Sequence, residues 1–160
     1  MRTAQRTYTR IILAITICLL IGFLGAMATA SSVSSWYTTL NKPFFTPPNW
    51  LFGPVWTLLY VMMGWAAGLI WSRGFHHLWV KSALYAFGIQ LLLNGSWSIV
   101  FFGLRSPVWA LVIIVLLAIM IIVTIRQFRV VNKTAAWLLA PYLAWVAFAS
   151  ALNLAIVLLN

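Results

Sequence analysis

The sequence predicts an all-α fold: an integral membrane bundle of five transmembrane helices forming a single domain (residues 1–160). Three observations carry that prediction. Of the 160 residues, 64% are hydrophobic and 6% charged, with a mean hydropathy of +1.04. A soluble domain carries roughly 25% charged residues, so this much apolar surface needs lipid as its solvent. Five segments also reach the length of about 20 mostly apolar residues that a spanning helix requires. Along none of them do apolar and polar residues alternate, as they would in barrel strands.

The elements follow in order. The first span covers 11–30 and is uncharged. Arg2, Arg6 and Arg10 precede it, and Ala28-Thr29-Ala30 closes it. That is also the grammar of a cleaved signal peptide, but the apolar run exceeds the roughly 7–15 residues of a signal core. A retained helix is the expectation. The second span covers 50–71 without a charge, and the third covers 78–102 with Lys81 near its start. The fourth covers 107–125 and the fifth 135–158. Pro141 leaves a carbonyl one turn earlier without its N–H donor and invites a kink in the fifth. The connections are short, and the longest runs from Ser31 to Asn49.

The chain has ten Lys plus Arg and no Asp or Glu. That excludes carboxylate acid–base chemistry, a Ser-His-Asp triad and a carboxylate proton relay. The net charge of +10 is scattered between apolar runs, which is a topology signal rather than a nucleic-acid footprint. Arg2, Arg6, Arg10, Arg73, Lys81, Arg126, Arg129 and Lys133 fall on one side, Lys42 and Arg105 on the other. The positive-inside rule then puts the N-terminus in the cytoplasm and the C-terminus outside. The expected location is a bacterial inner membrane. No metal site is expected, because the adjacent His76 and His77 have no acidic or cysteine partner. The lone Cys18 forms no intrachain disulfide.

Ten tryptophans are the remaining oddity. Trp36, Trp50, Trp71, Trp79, Trp109 and Trp137 fall near span ends, where indoles anchor at the interface. Trp56, Trp65, Trp97 and Trp145 lie deeper and need packing or a ligand to explain them. Helical spacing puts Trp56, Tyr60 and Met63 on one face of the second span. It likewise groups Gln90, Asn94, Trp97 and Phe101 on the third, and Pro141, Trp145, Ala149 and Asn153 on the fifth. Amides in a lipid-embedded helix need partners, so these faces point inward. They either line a mostly apolar pocket or bond across helices as glue. Periodicity alone does not separate the two. The stripes Cys18-Gly22-Ala26 and Gly64-Gly68 suit close helix contact, internally or between copies. The segment Asn41–Trp50, with three prolines and three aromatics, is either a structured cap or a stiff connector.

Several ordered motifs together resemble one known family. Trp36-Tyr37-Thr38-Thr39-Leu40-Asn41-Lys42-Pro43-Phe44-Phe45-Thr46-Pro47-Pro48 is similar to the WYxxLxKPxxxPP loop of the tryptophan-rich sensory protein / translocator protein family (TspO/MBR, the peripheral-type benzodiazepine receptor family). Phe52-Gly53-Pro54-Val55-Trp56-Thr57-Leu58-Leu59-Tyr60 continues the likeness. So do Gln90 to Asn94 with Trp97 and Phe101-Phe102-Gly103, and Pro141-Tyr142-Leu143-Ala144-Trp145 with Ala149, Leu152 and Asn153. The resemblance implies a five-helix protein, often a homodimer, that binds porphyrins such as protoporphyrin IX and benzodiazepine-site ligands. The porphyrin is then ligand or substrate, with no resident cofactor. The implied ligand contacts are Tyr37, Pro47, Trp56, Tyr60, Asn94, Trp97, Trp145 and Ala149. Trp56 and Trp145 are the implied catalytic candidates if the porphyrin is degraded in light. The sterol motif of animal members, an aromatic and a basic residue after Asn153, is replaced here by Leu154-Ala155-Ile156-Val157-Leu158-Leu159. Two other classes stay open on the sequence: a transporter of hydrophobic molecules without carboxylate coupling, and a ligand-free assembly protein.

Overall fold

A computed structural model describes residues 2–160, with side chains from Ala4 onward. The side chain of Arg2, one of the basic residues counted above, lies outside that description. The elements are α1 (Arg2–Val33), α2 (Trp36–Thr39), α3 (Asn49–Trp71), α4 (Leu78–Ser98), a π-turn (Ile99–Gly103), α5 (Pro107–Val131), α6 (Lys133–Leu138) and α7 (Ala140–Leu159). Among the described residues there is no strand. Five helical stretches are long and apolar enough to cross a membrane.

Two helices outrun their apolar cores. No Gly or Pro interrupts Arg2–Arg10, so α1 begins well before Ile11. α5 likewise continues past Ile125 to Val131. It stops at Asn132, whose Oδ1 accepts the Ala135 N–H at 3.2 Å and so caps α6. The fifth span is broken into α6 and α7 at Leu139. Pro141 then sits in the first turn of α7, where its missing N–H costs nothing. The third span ends in the π-turn, closed by the Leu104 N–H on the Ile99 carbonyl at 2.9 Å. Such wide turns shift the register of side chains against a straight helix. Here both Phe101 and Phe102 turn inward.

The tightest packing joins α1 to α3. A Cβ added at Gly64 would stand 2.3 Å from the Ile15 Cα, and one at Gly68 would stand 2.4 Å from the Ile11 Cα. The backbones touch there, as small residues in membrane helices permit. Thus the Gly64-Gly68 stripe serves packing within the chain. α5 lies between α4 and α7 on the far side, and buries Ile114, Leu117, Ile121 and Phe128 completely.

Outward faces are apolar too. Ile12, Ile17, Leu24, Val112 and Ile119 are exposed, which fits a lipid-facing surface and not a water-facing one. Trp50, Trp79, Trp109 and Trp137 are exposed near helix ends, as the belt reading expects. Trp65 differs from the sequence expectation. It is 49% exposed on the outside of α3, because it is one residue beyond the Gly64 stripe that faces α1. Lipid, not an interior ligand, accounts for that indole.

The glycine contacts give a signed prediction. Gly64→Ala should lower the unfolding midpoint in detergent, because the new methyl meets backbone atoms of Ile15 that have no rotamer to yield; the cost is about 1–3 kcal/mol. Gly88→Ala, with nothing within 4 Å of its Cβ, should raise the midpoint by up to about 1 kcal/mol of helix propensity.

Candidate functional site

The segment between α2 and α3 is a built cap. The Lys42 ammonium donates to the Tyr37 carbonyl at 2.8 Å and the Leu40 carbonyl at 3.2 Å, and lies 4.9 Å from the centre of the Tyr37 ring. The Thr46 N–H closes a turn on the Pro43 carbonyl at 3.1 Å. Asn41 is tied to the end of α7: its N–H donates to Asn160 Oδ1 at 2.9 Å, and Asn160 Nδ2 donates to its carbonyl at 2.8 Å. The cap is therefore fixed at both its own turn and the last helix.

Beside Tyr37, the residue that Lys42 holds, lies a cavity of about 510 Å³. Its walls come from α1 (Leu19, Gly22, Phe23, Ala26), α2 (Tyr37), α3 (Phe52, Trp56, Tyr60), Trp97 of α4 and Phe102 of the π-turn. The rings form a continuous surface. Trp56 lies 5.7 Å from Tyr60, 6.3 Å from Trp97 and 6.4 Å from Tyr142. Tyr37 lies 5.6 Å from Phe102. Burial pushes the Tyr37 phenol above its ordinary pKa, so it stays neutral at physiological pH. Gly22 lets the Tyr60 ring lie directly against α1: a Cβ there would stand 2.5 Å from that ring.

Behind this wall runs an uncharged polar chain. The Tyr60 hydroxyl donates to Asn94 Oδ1, and Asn94 Nδ2 donates to the Tyr142 oxygen at 2.8 Å. The Tyr142 hydroxyl donates to Gln90 Oε1 at 2.7 Å. Nearer the cap, Trp97 Nε1 donates to Asn153 Oδ1 at 3.2 Å, and Asn153 Nδ2 donates to the Pro107 carbonyl at 2.8 Å. Two buried donors, Gln90 Nε2 and Trp145 Nε1, have no partner among the described residues.

The sequence matches known proteins along most of its length. Residues 14–159 match the TspO/MBR family. The chain belongs to the TspO/MBR family. It is 51% identical over 152 residues to the tryptophan-rich protein TspO of Archaeoglobus fulgidus, covering 94% of this chain and 97% of that protein. It is 42% identical over 137 residues to the translocator protein of Bos taurus, covering 82% and 79%. A tryptophan-rich sensory protein of Cereibacter sphaeroides is 34% identical over 139 residues, covering 85% of each.

The TspO/MBR match contains all the expected ligand residues, and the structure distributes them unevenly. Tyr37, Trp56, Tyr60 and Trp97 line the cavity. Asn94 is not on the cavity lining; it is buried and accepts the hydrogen bond of the Tyr60 hydroxyl. Trp145 and Ala149 line a slot of about 20 Å³ on the other side of Trp56, which they share with Tyr37, Phe52, Trp97 and Phe102. Pro47 lines neither space and belongs to the cap. The wall from α1 was missed by sequence reasoning, as were Phe52 and Phe102. The Cys18-Gly22-Ala26 stripe, expected to serve close helix contact within the chain or between copies, does so at Gly22, which meets the Tyr60 ring; Gly22 and Ala26 also border the cavity, which the spacing did not show.

Replacing Asn94 by Leu removes the acceptor for Tyr60 and the donor to Tyr142 at once. The expected loss of stability is about 0.6–2 kcal/mol, the range for hydrogen bonds between membrane helices. A denaturant-in-detergent titration reads it. Tyr142→Phe should cost a comparable amount and add little to Asn94→Leu, since both break one chain.

Proposed function

We propose that this protein binds a flat hydrophobic tetrapyrrole of the protoporphyrin IX type in the cavity beside Tyr37, and that benzodiazepine-site ligands use the same space. The carrying observation is the cavity of about 510 Å³ walled by Trp56, Tyr60 and Trp97. Apolar walls with a few fixed polar atoms are the usual form of a small-molecule site. Offset and edge contacts to rings are worth about 0.5–1.5 kcal/mol each beyond area burial. Because the Tyr60 hydroxyl hydrogen is given to Asn94, the only capacity left to that oxygen is as an acceptor, the kind a pyrrole N–H needs. Trp145 supplies an unused indole donor in the adjoining slot. No Asp or Glu side chain opposes the propionates of a porphyrin. The split of basic residues supports a cytoplasmic N-terminus in a bacterial inner membrane.

A protoporphyrin IX titration followed by intrinsic fluorescence tests this reading. Saturable quenching is expected. Ala26→Phe, which fills the α1 side of the cavity, should weaken binding by about tenfold or more, equivalent to roughly 1.4 kcal/mol. Trp145→Phe should change affinity far less. The opposite ranking would place the ligand in the slot, and no saturable quenching would remove the proposal.

A second reading, light-dependent breakdown of the bound porphyrin, is favoured by the indoles of Trp56 and Trp97, which line both spaces. Trp56 stands between Trp97 and Tyr60, whereas Trp145 borders only the slot. Loss of porphyrin absorbance in light but not in dark, abolished by Trp56→Phe and retained by Trp145→Phe, is the expected pattern. Equal loss without protein would leave binding as the whole function.

A further inference from the structure

We propose that the groove at the start of α1 binds the phosphate headgroup of an anionic phospholipid. This site is at the opposite end of α1 and α3 from the cap and does not rest on porphyrin binding. The groove has a volume of about 530 Å³ and is lined by Gln5, Arg6, Thr9, Arg10, Leu13 and Trp71.

Arg10 is held in place. Its Nη1 donates to the Trp71 carbonyl at 3.0 Å, and its guanidinium carbon lies 5.7 Å from the centre of the Trp71 ring. A guanidinium has five N–H donors in a rigid fork suited to phosphate oxygens. One is satisfied by Trp71, and among the described residues the others meet no acceptor. Arg6, one helical turn earlier, is exposed and pairs with no described residue. Two cations four residues apart on one helix repel. With no Asp or Glu in the chain, no protein group relieves them. An external anion does.

The position selects the anion. Trp71 ends a spanning helix, so the groove lies at headgroup depth. Leu13 forms its apolar side, continuous with exposed Ile17 one turn deeper, where acyl chains run. A lipid phosphate satisfies both ends of that surface, whereas free phosphate uses only the arginines. Positive-inside topology needs basic residues at this end but not a groove with one guanidinium clamped across two helices.

The test is a lipid titration of the full-length protein in detergent, read by native mass spectrometry, with phosphatidylglycerol, phosphatidylcholine and inorganic phosphate as separate probes. Phosphatidylglycerol should be retained in preference to phosphatidylcholine. Arg6→Gln should weaken its retention roughly fivefold, the contribution expected of one basic residue at an anionic surface. Arg6→Gln plus Arg10→Gln should abolish the preference. Arg126→Gln plus Arg129→Gln, at the same end but outside the groove, should leave it intact. The exposed, unpaired Arg6 side chain can be removed without unfolding α1, so the single variant stands even if the double one is unstable. Unchanged retention in Arg6→Gln overturns the site. An equal loss in the Arg126/Arg129 variant replaces it with diffuse charge, and equal occupancy of the groove by inorganic phosphate overturns the assignment to lipid.

Discussion

The bundle depends on how closely α1 lies against α3. At Gly64 and Gly68 the two backbones are in contact, with Ile15 and Ile11 filling the place of absent side chains. That contact fixes one half of each helix and leaves no freedom to spread there. Toward the cap, α3 carries Tyr60, Trp56 and Phe52 where it carried glycine. The helices must separate, and the separation is the cavity. A tight half and an open half on one helix pair thus come from a single change in side-chain size along α3.

The second constraint is the absence of acidic residues. In lipid, buried polar groups must find partners within the protein. Here the partners are phenols, amides and indoles in sequence: Tyr60 to Asn94 to Tyr142 to Gln90, and Trp97 to Asn153 to the Pro107 carbonyl. These chains join α3, α4, α5 and α7 without a buried charge. They also orient the rings that face the cavity, since Tyr60 and Trp97 each have one polar atom tied to the network. The same lack of carboxylates leaves the arginines at the far end of α1 without an internal counter-charge.

Much of this was legible in the residues. Five apolar runs gave the spans, and the place of Pro141 gave the break that divides α6 from α7. Spacing of three and four placed Gln90, Asn94, Trp97 and Phe101 on a common inward face, and all four are buried. What periodicity could not show was the distinction between an inward face and a cavity wall. Asn94 is buried in a hydrogen-bonded core, whereas Trp97 borders open space, yet they share one face of α4. Phe102 was hidden for a different reason: the π-turn adds a residue to the helical repeat and swings it inward. Gly22 and Ala26 were legible as contact residues, which Gly22 is against Tyr60, but not as cavity lining, because small side chains suit both contact and space. Trp65 looked internal because depth along a span says nothing about which side of the helix an indole occupies.

The aromatic wall also has an optical consequence. Trp56 and Trp97 are 6.3 Å apart, with Tyr60 and Tyr142 at similar distances from Trp56. Excitation hops among chromophores this close before any one of them emits. The cluster acts as a small antenna, and its emission belongs to the group. A single acceptor lodged beside Trp56 drains light absorbed by its neighbours as well. The indoles that shape the space therefore also make it a sink for excitation energy.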